Sequence, residues 1–432
     1  MTELTTNSTA FVDRLRTLET KLPALQANAL SRFLYLGFPE ISNEEWRFTD
    51  VSKLAGADYA NPLTTIEADL SYIEANRYEL ILAAEAAIQP AADATSVILF
   101  NGLPVAGEDQ DPALGVSIRY LSSADSAAGE IADTESNPFT ALNAALFPGT
   151  LQITATAGAA LEQPIEVVLI SGHAGSSAPR ITSPRIVIQA GENSQLTIVE
   201  TYISLGSGTS LTNTVTEALV SRSAIVDHYR VNDEAKSSWH VSALAAALDA
   251  SSVFSSHSIN LGAAIIRNEA TALLRGEHAE CTLNGLSLGD GDRLIDNHTS
   301  IDHASANCNS HEVYKAILND RSRGVFNGKI FVRLDAQKTD AKQTNKTLLL
   351  SPEARVDTKP QLEILADDVK CTHGATIGQL DPSQVFYLRS RGLSEGEARR
   401  LLTYAFAGDI VLRLKVERLQ TALDERLRVW LA

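Results

Sequence analysis

The feature that most constrains the fold is a stretch of almost 300 residues, 96–380, in which short β-type segments follow one another. Runs rich in Val, Ile and Thr with a period of two mark it. No amphipathic pattern of convincing helical length separates them, so a doubly wound nucleotide-binding fold is disfavoured. A sandwich, a barrel or a coiled β-solenoid is left. The runs lie at residues 96–100, 165–170, 185–189, 195–200, 329–333 and 361–365.

Polar turns recur within this stretch and favour the solenoid. The spacing of the turns is close to 28 to 30 residues, with two steps about half as long. A coil of that length, with a second polar turn inside some coils, is typical of a parallel β-helix with two or three strands per coil. We therefore predict a mainly β fold with a parallel β-helix core over residues 96–380. The turns begin near residues 191, 221, 249, 276, 305, 320, 351 and 367.

The region before the β segments has a helical pattern. Apolar residues recur at spacings of three and four over residues 11–36, which predicts a helical hairpin broken at Pro23 and ended at Gly37. The following residues have no strong strand pattern until residue 95. We expect an N-terminal helical region over residues 1–95.

The region after the β segments is also helical. Asp381 is placed as an N-cap with Pro382 at the first helical position. Ser394 and Glu397 have the spacing of a capping box for a second helix. An apolar stripe continues from there to the terminus. We predict a C-terminal helical domain over residues 381–432.

The charge of the chain disfavours two classes of partner. It has 36 Lys and Arg against 53 Asp and Glu, a formal net charge of −17. Such a chain repels phosphate backbones and anionic lipid, so we expect neither nucleic acid nor a membrane as a partner. Residues 383–432 differ, with nine basic and six acidic side chains. A solvated helical face explains this excess, and a docking surface for an acidic partner is the alternative.

The cysteines and the first residues predict a cytoplasmic location. The chain has three cysteines, an odd number, and they lie far apart in sequence, as in a chain that is not held together by disulfides. They are Cys281, Cys308 and Cys371. Residues 1–9 are polar and lack the basic and apolar segments of a secretory signal. A reducing cytosol fits best.

Cys371 and His373 are the first candidate metal ligands. On a strand, the period of two sends Val369, Cys371 and His373 to one face. Thiol and imidazole groups suit zinc or iron, but two ligands are half of a tetrahedral site, so further ligands would have to come from elsewhere. The alternative is that Cys371 fills the core beside Val369.

A second grouping places Asp302, His303, Cys308 and His311 within ten residues. Its order matches no standard zinc spacing, and we interpret these residues as polar turn residues between strands. Cys281 is interpreted as a small buried hydrophobic residue.

The last third of the chain resembles a known family. Residues 356–364 read VDTKPQLEI, residues 367–376 read DDVKCTHGAT, and residues 386–392 read FYLRSRG. The segments EWRFT at 45–49 and RGVFNG at 323–328 agree with the same pattern. Together they resemble the SufB/SufD family of iron-sulfur cluster assembly subunits. The KCTHGAT segment favours the SufD branch over the SufB branch.

The resemblance implies a right-handed parallel β-helix between two helical regions. It implies a subunit without enzyme activity of its own, which acts with a SufB-like scaffold and a SufC-like ATPase and supports iron acquisition. His373, with Cys371 near it, would face the SufB-like subunit, where a transient iron-sulfur cluster is shared. The C-terminal helices would dock the ATPase. A reduced flavin in the complex belongs to the same expectations, and the isolated chain could form a homodimer.

Two other functions stay open on the residues alone. Asp335, Asp340 and Asp357 with Lys359 could supply the acid, base and cation of a carbohydrate-active β-helix enzyme, although such enzymes are usually exported. A purely structural β-solenoid that associates through exposed strand edges is the other alternative.

Overall fold

The computed structural model describes residues 10–18, 22–89, 94–113, 115–123, 131–174, 178–206 and 208–431. Residues 1–9, which carry the prediction about a secretory signal, lie outside these ranges. No helix in the described ranges has the length and apolar character needed to cross a membrane.

The N-terminal region is helical, as predicted. The hairpin breaks at Pro23, and Gly37 ends its second helix with a positive φ of 69°, a conformation that suits glycine. The sequence pattern missed the long helix that follows, because non-helical backbone angles at Asn76 kink it and divide its apolar stripe. The helices are α1 (Ala10–Arg16), α2 (Ala24–Leu36), α3 (Ser52–Ala55) and α4 (Pro62–Ile88), with a 3-10 turn at Glu44–Trp46.

The first strands form an antiparallel start to the β region. β1 pairs with β2, β3 with β4, and β4 with β5 in this sense. A helix of nine residues lies between β4 and β5, too short to contradict the prediction that no helix of convincing length interrupts the β segments. Asn137 caps it by accepting from the backbone N–H groups of Phe139 and Thr140. The elements are β1 (Thr95–Phe100), β2 (Leu103–Ala106), β3 (Gln110–Ala113), β4 (Val116–Ser122), α5 (Pro138–Leu146) and β5 (Gly149–Ala155).

The remaining strands wind into a parallel β-solenoid of about seven turns, which confirms the predicted fold class. Later coils hold two strands of about ten residues, one in each of two sheets. The strands are β6 (Ile165–Gly172), β7 (Arg180–Thr182), β8 (Arg185–Ala190), β9 (Gln195–Leu205), β10 (Ser210–Val220), β11 (Ile225–Asp233), β12 (Trp239–Leu248), β13 (Val253–Asn260), β14 (Ile265–Leu274), β15 (Glu280–Gly289), β16 (Leu294–His303), β17 (Asn309–Leu318), β18 (Arg323–Val332), β19 (Asp340–Leu349), β20 (Arg355–Ile364) and β21 (Lys370–Gly378).

The register explains the spacing of the turns. Sheet A runs in the order β2-β1-β6-β9-β11-β13-β15-β17-β19-β21, and sheet B runs from β20 back through the even-numbered strands to β8, β5, β4 and β3. In sheet A, Val253 pairs with Glu280, Glu280 with Asn309, Asn309 with Asp340, and Asp340 with Lys370, steps of 27, 29, 31 and 30 residues. Each coil therefore has two corners, and the half-length steps in the sequence mark the second corner.

Three helices follow the last strand. Asp381 caps the first through Ser383, and Ser394 and Glu397 form the predicted capping box of the second. The third helix returns along sheet A, where its Arg418 pairs with Glu166 and its Arg426 with Asp233. The helices are α6 (Pro382–Ser390), α7 (Glu395–Val411) and α8 (Glu417–Trp430). The division into three domains at residues 95 and 380 stays a prediction.

Candidate functional site

The last coil of the solenoid is the candidate site, because its strands lie at the edges of both sheets. Within the described ranges, β21 pairs with β19 alone and β20 with β18 alone. Residues of β18 and β19 are mostly buried on alternate positions, whereas those of β20 and β21 are half-buried or exposed. An edge strand presents unpaired N–H and C=O groups that can pair with a strand from another chain.

Cys371 and His373 share the inner face of β21, as their spacing predicts. Cys371 is in register with Ala341, and His373 with Gln343. Both partners are buried, while Lys342 between them is exposed. Because neighbouring parallel strands share their inner and outer positions, both candidate ligands face into the coil.

The environments of these two side chains differ. Cys371 is half-buried and packs, together with Val369, against a cluster that contains Ile330 and Val332. Burial raises the pKa of its thiol above the ordinary value. His373 is exposed at the open end. Cys371 therefore has a packing contribution, which was the alternative interpretation, and remains within reach of solvent.

Polar side chains lie inside the coil directly beneath this strand. Gln343 Nε2 donates to Glu312 Oε2 at 2.6 Å. Glu312 is 1% exposed, and burial raises its pKa to about 7. The side-chain oxygens Oε1 of Gln343, Oδ1 of Asn345 and Oγ1 of Thr347 are buried without a hydrogen-bond partner in the described residues. Sequence reasoning missed this polar interior, although the alternating polar residues of β19 were a signal for it.

The described residues do not contain a complete metal site. Among them, no three His, Cys, Asp or Glu side chains lie close enough to hold an ion. Cys371 and His373 supply two donors, half of a tetrahedral set.

The second grouping is dispersed by the fold. Asp302 forms an ion pair with Arg333 at the surface. His303 is buried, and burial lowers its pKa to about 4. Cys308 is also buried, whereas His311 is exposed. These four side chains form no metal-binding group in the described residues. Their interpretation as turn residues between strands holds for Cys308 alone, because Asp302 and His303 end β16 and His311 lies in β17. Cys281 is buried in the apolar core, as predicted.

The side chains of the carbohydrate-active alternative also do not form a common site. Asp357 and Lys359 each form an ion pair on the outer face of β20. Asp340 begins β19 in the other sheet and pairs with Lys342. Asp335 lies in an exposed turn. The geometry gives no support to that alternative.

A segment near the N-terminus, residues 44–49, lies across the outer face of sheet B, and we call it the strap. Arg267 is buried beneath it, 4.2 Å from the ring centroid of Trp46. Its Nη1 donates to the Glu45 carbonyl at 2.9 Å and to Asp296 at 2.6 Å. Thr49 also donates to Asp296. The strap thus covers a buried ion pair that the sequence did not reveal.

The strap extends to the last coil. His298 contacts both Asp296 and Glu45, at 3.1 and 3.4 Å. Burial disfavours protonation of the His298 ring, whereas the Asp296 carboxylate favours it. The pKa of His298 is raised as a result. Lys359 of β20 donates to Glu44 at 2.6 Å. The strap therefore bridges β14, β16 and β20 of sheet B.

A groove lies beside the strap on sheet B. It has a volume of about 360 Å³ and is lined in part by Glu45, Glu269, His298 and Lys329. Its lining also contains apolar side chains such as Trp46, Leu244 and Ala270. The expectation of a reduced flavin in the complex stays a prediction.

Comparison with protein families gives one match that covers more than half of the chain. Residues 172–406 match the family model described as "SUF system FeS cluster assembly, SufBD core domain". This range contains most of the solenoid, including its last coil, together with helix α6 and most of helix α7.

Several curated proteins are similar over much of their length. The chain is 29% identical over 401 residues to iron-sulfur cluster assembly protein SufD of Escherichia coli, covering 92% of this chain and 90% of the relative. It is 30% identical over 408 residues to an iron-sulfur cluster assembly SufBD family protein of Synechocystis, covering 90% and 87%. It is 28% identical over 293 residues to SufD of Bacillus subtilis, covering 67% and 66%.

Proposed function

Because this chain belongs to the SufB/SufD family of iron-sulfur cluster assembly proteins, we propose that it joins a SufB-like scaffold through its last coil and holds part of a nascent cluster there. Its relatives are named assembly proteins, in agreement with the prediction of an assembly subunit rather than an enzyme. The observation that carries the proposal is the open edge strand β21, which presents His373 and Cys371.

The backbone of β21 supports partner binding by strand addition. The Lys370 N–H donates to Thr339 O at 2.8 Å, toward the neighbouring strand. In a parallel strand, alternate residues direct their backbone groups to opposite sides. The N–H groups of Cys371, His373 and Ala375 therefore point away from the sheet, where a partner strand can pair with them.

The donors on β21 suit a shared cluster. Iron-sulfur clusters are held mainly by thiolates, and imidazole replaces thiolate in some of them. His373 and Cys371 supply two donors at most, and the SufB-like partner would supply the others. The cluster is then cargo that is assembled between the subunits and passed on. Ligation by His373 also explains why a polar, exposed side chain occupies an inner-face position.

We assign docking of the SufC-like ATPase to the C-terminal helices. Phe386 of α6 is 72% exposed, and Tyr387 beside it is exposed as well. Exposed aromatic side chains at neighbouring positions are typical of a protein interface. Helix α8 is fixed to sheet A, where Arg418 pairs with Glu166 and Arg426 with Asp233. A movement of the ATPase would therefore be transmitted to the solenoid.

We place this activity in the reducing cytoplasm. Cys281, Cys308 and Cys371 are all free thiols. Free cysteines at separate places in a long chain are typical of that compartment.

The test is co-purification with the SufB-like and SufC-like proteins of the same source under anaerobic conditions. Ala375→Pro removes an outward N–H without removing a bond to β19, and we expect it to abolish recovery of the SufB-like subunit. The matched control, Ala375→Ser, should keep it. Unchanged recovery with Ala375→Pro would contradict strand addition at this edge.

The same complex tests the role of His373. We expect His373→Ala to leave all three subunits together and to lose most of the iron and acid-labile sulfide. If the iron and sulfide content stays at the wild-type level, His373 is not part of the assembly site. A double variant, Phe386→Ala with Tyr387→Ala, should release the SufC-like protein only; retention of that protein would contradict the assignment of α6.

A further inference from the structure

Three side chains form a column along the axis of the last coils. Glu312, Gln343 and His373 occupy the same register position on β17, β19 and β21. Neighbouring strands lie about 4.8 Å apart, so side chains at equivalent inner positions stack on one another. Across the interior, a methyl group added at Gly328 would overlap the Gln343 amide. The absence of a side chain at Gly328 thus leaves room for Gln343 in the column.

The amide of Gln343 has a fixed direction. Its nitrogen donates to Glu312 at 2.6 Å, toward β17. Because β17 and β21 flank β19 on opposite sides, the amide oxygen turns toward β21. That oxygen is buried and has no partner in the described residues. A buried acceptor without a hydrogen bond is destabilising, so a donor at this position is favoured.

A metal-binding histidine needs such an acceptor. Imidazole ligands bind metal through one ring nitrogen and donate the other N–H to a carbonyl or carboxylate, which fixes the tautomer and the orientation of the ring. The Gln343 oxygen can only accept, and it lies one strand below His373.

We propose that Gln343 is a positioning residue that accepts an N–H from His373, and that Glu312 holds Gln343 in the required orientation. The ring nitrogen that remains free then faces the open end of the coil, toward the partner. This inference rests on the proposed function of His373 and adds two residues through which that histidine is oriented.

The first test measures the tautomer of His373 in the isolated chain. ¹⁵N-histidine labelling with long-range proton–nitrogen NMR, above the ordinary histidine pKa of about 6.5, distinguishes the two neutral tautomers. The signal is assigned by its loss in His373→Ala. We expect one dominant tautomer in the wild type and a mixture in Gln343→Leu. The control Thr347→Val removes an equally buried, unpaired oxygen from the same strand and should leave one tautomer.

Glu312 provides an independent pair of variants in case Gln343→Leu does not fold. Glu312→Gln keeps an acceptor for Gln343 Nε2 and should preserve the single tautomer. Glu312→Leu removes that acceptor, frees the amide and should give the mixture. The same tautomer distribution in the wild type, Gln343→Leu and Glu312→Leu would overturn the inference.

The second test measures iron binding by the complete complex. Loss of such a supporting hydrogen bond typically lowers metal affinity about 10- to 100-fold, and we expect this range for Gln343→Leu with all subunits still present. Unchanged affinity in Gln343→Leu, with iron lost in His373→Ala, would overturn the inference and leave the proposed function intact. Full iron content in His373→Ala would instead remove the proposed function, and the tautomer measurement would still decide whether the column orients the ring.

Discussion

The middle coils and the last coil of the solenoid follow the same repeat but differ in what covers them. Phe254 of β13 lies between two neighbouring strands and is 1% exposed, whereas Leu362 of β20 and Cys371 of β21 are only half-buried. The register is continuous through both regions. Among the described strands, none lies beyond β20 and β21, so the exposure of the last coil comes from its position at the end of the sheets and not from a change in the repeat. Such an end is suited to a second chain that continues the sheets.

The largest expected effect separates these two regions by their packing. Phe254→Ala opens a cavity in the covered interior and should lower the free energy of unfolding by about 3 to 5 kcal/mol. Leu362→Ala removes a comparable side chain from the half-buried last coil, where solvent can fill the space, and should cost about 1 kcal/mol. Urea denaturation followed by circular dichroism measures both. Equal losses would mean that the last coil is as tightly packed as the middle.

The strap gives the next effect, because it joins middle strands to the last coil. Arg267→Met leaves the buried carboxylate of Asp296 without its main partner, and we expect a loss of about 3 kcal/mol. The exposed pair of Arg321 and Asp292 is the control, and Arg321→Met should lower the free energy of unfolding far less, because solvent screens that pair. The same denaturation experiment measures both. A loss for Arg267→Met no larger than for Arg321→Met would show that the buried ion pair beneath the strap does not stabilise the coil.

The buried carboxyl beneath the open end should make stability depend on pH. Burial raises the folded-state pKa of Glu312 to about 7 from an ordinary 4.5. A carboxyl with a raised pKa binds its proton more tightly in the folded protein than in the unfolded chain. The protonated carboxyl therefore contributes to the free energy of unfolding, and this contribution is lost as pH rises from about 4.5 through 7. Glu312→Gln should be more stable than wild type by on the order of 2 kcal/mol at pH 8 and nearly equal at pH 4.5. A difference that is the same at both pH values would contradict the raised pKa.

The repeat and the helix ends were predictable because their causes are local. Turn residues set the spacing of the coils, and Asp381 and Ser394 cap their helices through groups two or three residues away. Helix α4 was missed because its kink at Asn76 breaks the periodicity on which the prediction depends. Helix α5 is too short to give a convincing period.

The surroundings of the candidate site were less predictable because they depend on contacts between distant residues. The common face of Cys371 and His373 follows from the period of two. The contact of Thr49 with Asp296 joins residues 247 positions apart, and Gln343 reaches Glu312 across 31. Only the register of the coils brings such residues together. The polar interior beneath His373 is therefore a product of the fold.

The smallest expected effect on stability belongs to His373 itself. Its side chain is exposed, so water can replace the hydrogen bond proposed for Gln343 once the ring is removed, and His373→Ala should change the free energy of unfolding by less than about 0.5 kcal/mol. Urea denaturation of the isolated chain measures this, with Leu362→Ala as the comparison within the same coil. A loss larger than that of Leu362→Ala would mean that the ring packs inside the coil, and any loss of iron in the complex would then report damage to the last coil. A negligible loss leaves His373 free to act as a ligand at an interface, because the fold of the isolated chain does not require it.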